Sequence, residues 1–355
     1  MTSSPSRFRN LDGSYAQPFG NVFRWAVVDR LLGRRRRSPP NAPVPRVEPD
    51  ASLLAEPPRP GQPARLTWLG HASWLVQLDG VTLLIDPVLG ESIGGVVRRN
   101  VAPGLGPTQL PRIDASLVTH NHRDHLDLPS LKAAGARVVV GRGLGAFFER
   151  QGLPATELEW WQTEAVGPVN VSFVPSQHWS RRGLFDTNTT LWGGFVIEGS
   201  SARLYHSGDT AYFSGFAEIG RRFPRLDAAL LPIGAYDPGW FMERQHINPE
   251  QAVRAFVDLG AAHFLAMHWG TFKLTDEPLL EPPERLEAEW ARLGLAPASK
   301  HVLAVGETVD VGRGSPVARA NGASGAADAS GATGANGAAD ASGATGALAG
   351  GKSPL

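Results

Sequence analysis

Cysteine is absent from this 355-residue chain, which excludes disulfide staples, thiolate metal sites and a cysteine nucleophile. The absence also fits a reducing compartment. No apolar run reaches the length of about 18 residues that a membrane-spanning helix requires. The opening Met1-Thr2-Ser3-Ser4-Pro5-Ser6-Arg7 lacks the apolar core of a secretion signal. Arg34 to Arg37 run into Pro-rich sequence rather than an apolar stretch, which argues against a twin-arginine export signal. A cytoplasmic location is therefore expected. Net charge is also lacking, since 34 basic residues balance 34 acidic ones, so the whole molecule is not a polyanion binder. No basic, aromatic-interleaved patch recurs in the body, and nucleic acid is not expected as a partner.

What is there is concentrated. Thr119-His120-Asn121-His122-Arg123-Asp124-His125-Leu126-Asp127 carries three imidazoles and a carboxylate, all between His120 and His125. Histidines at i and i+2 leaving the end of a strand point the same way. The adjacent Asp124-His125 can then turn toward a second point about one metal spacing away. Neutral imidazole and carboxylate are good ligands for Zn2+, and the same nitrogen and oxygen donors also accept iron or manganese.

Composition divides the chain into three. Residues 1–64 are rich in Pro and Arg and read as an extended arm. The body runs from 65 to 312. From 313 to 355 the chain is rich in Gly, Ala and Ser, and Gly325 to Ala335 recurs as Gly337 to Ala347. A segment with so few apolar side chains cannot offset its chain entropy, so a flexible tail without chemistry is expected.

Within the body, β-rich runs alternate with helix signals. Leu66 to Leu69, Ser73 to Leu78 and Val81 to Ile85 read as successive strands, with Asp79-Gly80 as a hairpin signal. Ala115 to Thr119, Arg137 to Val140, Val169 to Val174, Leu191 to Ile197, Ala202 to His206, Ala228 to Pro232, His263 to Met267 and Val302 to Val305 continue the series. Helices are signalled over Pro129 to Ala134, Leu144 to Gln151, Gly215 to Phe223 and Glu284 to Leu293. A further helix starts at Asn248-Pro249-Glu250-Gln251, with an N-cap, a first-turn Pro and Gln at N3, and ends at Gly260. Interleaving over one stretch predicts a single α/β domain.

The remaining ligand candidates each follow a strand run, where α/β folds place their chemistry. His178 follows Val169 to Val174, Asp209 follows Ala202 to His206, and His268 follows His263 to Met267. Singly, each could be a core hydrogen-bonder or a turn residue. In this order they can serve two metals: His120, His122 and His178 on one, Asp124, His125 and His268 on the other, with Asp209 bridging.

That arrangement resembles a metallo-β-lactamase-fold hydrolase, which implies a four-layer αββα sandwich. Narrower blocks resemble the N-acyl-phosphatidylethanolamine-hydrolysing phospholipase D family. They are Trp68-Leu69-Gly70-His71-Ala72-Ser73, Asp86-Pro87, His178-Trp179-Ser180, Leu191-Trp192-Gly193-Gly194 and Gly208-Asp209-Thr210-Ala211-Tyr212, followed by Leu231-Pro232-Ile233-Gly234-Ala235-Tyr236, His246-Ile247-Asn248-Pro249-Glu250 and His268-Trp269-Gly270-Thr271-Phe272. Arg7-Phe8-Arg9-Asn10 and Asn21-Val22-Phe23-Arg24-Trp25 in the arm are similar too. The resemblance spans residues 7 to 310. Arg123 departs from it, standing where many members carry an aromatic residue, and is expected to change the charge near the metals rather than the ligation.

Paired Zn2+ ions lower the pKa of bound water from 15.7 to about 7. The expected reaction is attack of that hydroxide, oriented by Asp124 and Asp209, on phosphorus in line with the leaving oxygen. By resemblance, the products are phosphatidic acid and an N-acylethanolamine. His246 is the candidate to stabilise the leaving oxygen, or else simply a histidine with a polar contact at the start of a helix. His71 and Asp86 are expected to orient ligands. Trp179, Tyr236 and Trp269 are candidates for contacting the lipid.

Val22, Phe23, Ala26, Val27, Arg30 and Leu31 follow helical spacing, so an amphipathic helix is expected over 21–33, directly before Arg34 to Arg37. The stripe could lie on an anionic membrane surface, peripheral to it, or pack onto the body. A phospholipid is the expected partner, and a homo-oligomer stays open. The alternatives are a dizinc hydrolase of a small soluble lactone or phosphoester, similar to the ascorbate-phosphate lactonases, and a non-catalytic lipid-binding homologue. The complete ligand set argues against the latter.

Overall fold

The computed structural model describes residues 7–14, 19–314 and 318–319. The expected tail lies outside the described residues, apart from Arg313, Gly314, Ala318 and Arg319.

Strands β1 (Ala64–Gly70), β2 (Ser73–Leu78) and β3 (Val81–Ile85) form an antiparallel meander. The parallel strands β4 (Ala115–Val118), β5 (Arg137–Gly141) and β6 (Ala155–Leu158) extend it. A second sheet begins with β7 (Thr163–Val166), β8 (Val169–Val174), β9 (Gly194–Glu198) and β10 (Arg203–His206), which pair antiparallel. It turns parallel through β11 (Ala228–Pro232), β12 (His263–Met267) and β13 (Lys300–His301). Finally β14 (Thr308–Val311) returns to pair with β1, closing the first sheet beside β15 (Ala318–Arg319).

Period-two alternation sorts the side chains into layers. Leu66, Trp68, Trp74, Val76, Leu83, Ile85, Leu117 and Val139 join Val171, Phe173, Phe195 and Ile197 of the second sheet in one buried cluster. The intervening Val118, Val138 and Val140 point to the other face, where α1 (Leu128–Ala134) and α2 (Gly145–Arg150) cover them with Leu131 and Phe148. On the second sheet, α3 (Gly215–Arg222), α4 (Pro249–Leu259) and α5 (Glu281–Arg292) contribute Phe216, Phe256 and Trp290. The result is the expected αββα sandwich. The cap of α4 forms as its sequence predicts: Asn248 Oδ1 accepts from Gln251 N at 2.8 Å, and Gly260 closes the helix at φ 63°.

Two strand expectations need correction. Residues 302–304 form no strand; Val305 makes only an isolated bridge with Arg46, and Gly306, at φ 89°, turns the chain into β14. The Leu191 to Ile197 strand starts only at Gly194, because residues 191–193 bond to loops instead, Gly193 N donating to Thr119 O at 3.1 Å. Strands β6 and β7, Ala-Thr-Glu-Leu and Thr-Glu-Ala-Val, carry too few apolar residues to signal themselves.

The arm lies along the body. Phe8 N donates to Asn188 O at 2.8 Å, and Asn10 is buried. Helical backbone covers Phe19–Leu31 with a wider turn at Arg24–Val28. Its Trp25 stacks on Phe241 with ring centroids 5.4 Å apart, and Arg35 Nε donates to Asp276 at 2.8 Å. Phe23, Val27, Leu31 and Leu32 nevertheless stay exposed. Among the described residues, no helix is long and apolar enough to cross a membrane.

Candidate metal centre

The ligand candidates gather where β3, β4, β8, β10 and β12 end. His120 Nε2 lies 2.8 Å from His122 Nδ1, which lies 3.2 Å from His178 Nε2. Three ligands held about 2.0–2.1 Å from one tetrahedral zinc stand roughly 3.3 Å apart, so these nitrogens need little adjustment to share an ion. A second group joins His71, Asp124, His125 and His268. Asp209 lies between the two: Oδ1 is 3.0 Å from His268 Nε2, and Oδ2 is 3.1 Å from His125 Nε2 and 3.8 Å from His178 Nε2. His268 Nε2 and Asp209 Oδ1 are buried and make no hydrogen bond, which fits groups that await a cation. The donors are nitrogen and oxygen throughout, a set suited to zinc, iron or manganese.

The network around the ligands assigns their tautomers. Asp86 is fully buried and accepts from Thr119 N at 2.8 Å, Thr119 Oγ1 at 2.6 Å and His125 Nδ1 at 2.7 Å. His120 Nδ1 donates to the same Thr119 hydroxyl at 3.0 Å, leaving Nε2 free toward the centre. His178 Nδ1 donates to Gln245 O at 2.8 Å. Asn10, from the arm, accepts from His178 N at 3.1 Å and Trp192 Nε1 at 3.0 Å. Asp86, His71 and His268 hold positive φ (42°, 56° and 60°), backbone strain of the kind that collects at functional sites.

Burial keeps most of these imidazoles neutral: it lowers His122 to about 4, and His71, His178 and His246 to about 3. His125 is the exception. Burial opposes its charge, but the carboxylates of Asp209, Asp86 and Asp124 outweigh that and hold it well above its ordinary value. Burial would also raise Asp124 and Asp209, yet charged His125 brings both well below the carboxylate range.

Above the centre opens a cleft of about 620 Å3. Its apolar wall includes Val22, Trp25, Phe241, Met242 and Leu274; Arg123, Arg181 and Arg182 also line it.

Residues 82–269 match the Beta-lactamase superfamily domain family. This chain belongs to that superfamily. An uncharacterized protein of Mycobacterium tuberculosis is 38% identical over 281 residues, spanning 74% of this chain and 72% of its own. N-acyl-phosphatidylethanolamine-hydrolyzing phospholipase D 1 of Caenorhabditis elegans is 36% identical over 62% of this chain and 68% of its own length. Among solved structures, an isothiocyanate hydrolase from Delia radicum gut bacteria aligns with TM-score 0.58 at 21% identity, over 70% of this chain and 99% of that one, and shares the fold. This superfamily member is a metal-dependent hydrolase resembling the N-acyl-phosphatidylethanolamine phospholipases D.

Placed on this fold, all seven expected ligands converge, and His71 and His246 come in with them: His71 Nε2 is 3.3 Å from Asp124 Oδ2, and His246 Nδ1 is 3.9 Å from Asp209 Oδ2. Trp179 lines the cleft. Tyr236 and Trp269 are placed elsewhere: the Tyr236 hydroxyl donates to Glu281 at 2.8 Å, and Trp269 stacks on Trp68 at 5.5 Å. Sequence reasoning assigned no role at the site to Asn10, Thr119, Gln245 or the arm's Trp25, and did not place Val22 at the cleft. All but Gln245 stand in quoted blocks, but those blocks do not say which side chain reaches the site.

Proposed function

We propose that this hydrolase is a dizinc phosphodiesterase of phospholipase D type, converting N-acyl-phosphatidylethanolamine to phosphatidic acid and an N-acylethanolamine. The observation that carries the reading is a nitrogen and oxygen ligand cluster at the base of a largely apolar cleft, large enough for a lipid head group and part of its chains. The Caenorhabditis elegans relative is named for that activity.

In this reading His120, His122 and His178 would hold one ion and Asp124, His125 and His268 the other, with Asp209 available to both. The ions would supply activated water and neutralise phosphoryl charge. The water oxygen bonds to phosphorus, the bond from phosphorus to the ethanolamine oxygen breaks, and a proton ends on the departing hydroxyl. Asp86 and Thr119 keep the imidazoles turned inward. His246, whose pKa burial lowers to about 3 so that it is neutral at ordinary pH, suits donation of a hydrogen bond to the leaving oxygen better than outright proton delivery. The exposed Phe23, Val27 and Leu31, with Arg30 and Arg34 beside them, would rest on an anionic lipid surface.

Mass spectrometry of products from zinc-loaded protein and N-acyl-phosphatidylethanolamine vesicles tests the reaction. Phosphatidic acid plus N-acylethanolamine, absent with His122→Ala, supports it. No turnover by protein carrying two metals refutes it and points to a small soluble ester or lactone. Replacing Phe23, Val27 and Leu31 with Ser should weaken vesicle flotation while sparing detergent-dispersed substrate; unchanged flotation rejects the membrane contact.

A further inference from the structure

Arg123, inserted between ligands His122 and Asp124, is exposed and forms neither hydrogen bond nor ion pair with any described residue. Two further arginines, Arg181 and Arg182, line the same cleft. Arg181 Nε donates only to Gly183 O, at 3.1 Å. Arg182 is pinned by carbonyls, its Nη1 donating to Leu126 O at 2.9 Å and Asn121 O at 3.3 Å. Among the described residues no carboxylate forms an ion pair with any of the three, and Asp127 and Asp186 act on Arg182 only from beyond ion-pair distance. Three like charges on one wall repel each other, and a merely solvated run would splay apart. Here two backbone carbonyls hold the Arg182 guanidinium within reach of the Arg123 charge, and an oxyanion beside these arginines would relieve the repulsion with charge-assisted, fork-shaped hydrogen bonds.

The scissile phosphodiester already has its place at the metal ligands, so these arginines call for a second charge. We propose that Arg123, Arg181 and Arg182 form an oxyanion subsite at the rim of the cleft, which selects amphiphilic phosphodiesters bearing an additional carboxylate or phosphate on the head group. The idea rests on the phosphodiesterase reading above, with the acyl chains against Val22, Trp25, Phe241 and Met242.

The test compares two lipids with identical acyl chains in nonionic micelles. One is N-acyl-phosphatidylethanolamine; the other carries a carboxylate on the carbon next to the amide nitrogen. Zinc-loaded wild type should prefer the carboxylated lipid by roughly tenfold in kcat/KM, expressed in KM. Arg123→Gln and Arg181→Gln should each erase most of that preference, and Arg123→Lys should restore part of it. Turnover of both lipids with the same ratio in wild type and in Arg123→Gln overturns the subsite and leaves the phosphodiesterase reading standing. If wild type turns over neither lipid, that reading falls. The subsite is then judged by the binding ratio of the matching non-hydrolysable phosphonates, followed through Trp fluorescence. A ratio unaltered by Arg123→Gln overturns it, and a collapsed ratio supports it.

Discussion

Replacing Asp86 with Asn isolates the role of a residue that touches no substrate. Its carboxylate collects three donors within 2.6–2.8 Å, two from Thr119 and one from His125 Nδ1. Thr119 Oγ1 and His125 Nδ1 share Oδ2 while Thr119 N bonds Oδ1, so an amide satisfies only one side. With its oxygen in the place of Oδ2 its nitrogen faces Thr119 N–H, and in the other orientation its nitrogen faces His125 Nδ1–H. One escape breaks that bond. The other flips the imidazole to the tautomer whose Nε2–H points into the centre, which blocks ligation through that atom. Hydrogen bonds to an ionised group are worth about 1.5–3 kcal/mol each, and losing such a partner typically costs a metal site about 10–100-fold in affinity. Zinc competition with a chromophoric chelator should show the more weakly held ion loosened by that factor in Asp86→Asn. The tighter ion should change less if the His122 and His178 side binds it. Thr119→Val, which severs only the hydroxyl link to His120, should have a smaller effect. Affinities within about twofold of wild type for both ions would refute the argument, because the charge on Asp86 would then not set the tautomer.

Zinc binding should release the His125 proton near pH 7, because this imidazole is held charged while its Nε2 must be bare to ligate. Calorimetry in buffers of different ionisation enthalpy detects that proton, and zero release would contradict the charged state. The sign has a second consequence for the metal-free protein. The folded-state pKa of His125 is raised, so its stabilisation is fully present below about 6.5 and is lost as pH climbs through the raised value; denaturant titration of chelator-stripped protein follows it. His246→Gln should lower kcat by roughly 100-fold with little change in KM or zinc content, and an unaltered kcat would make His246 merely structural.

How much of this was legible beforehand follows from what constrains each residue. Metal ligands must leave the ends of neighbouring strands, so His120, His122, His178, Asp209 and His268 carry a positional signature in one dimension. The α4 cap does so too, because Asn248 and Gln251 must stand three apart. Supporting groups obey no such spacing. Asn10 reaches His178 across 168 positions, and the only hint was that both fall in blocks similar to one family. Aromatic residues beside a motif misled for the same reason: Trp269 neighbours a ligand in sequence, but its indole turns inward against Trp68, whereas Trp25, more than 200 residues away, stacks on Phe241 and walls the cleft. A side chain next to a ligand at a strand end tends to point away from it, since successive positions alternate faces. Arg123 is the instructive case. Its place within the ligand motif was evident from the sequence, but whether its charge was paired could be learned only when the fold brought Arg181 and Arg182 beside the same cleft with no carboxylate among the described residues bridging them.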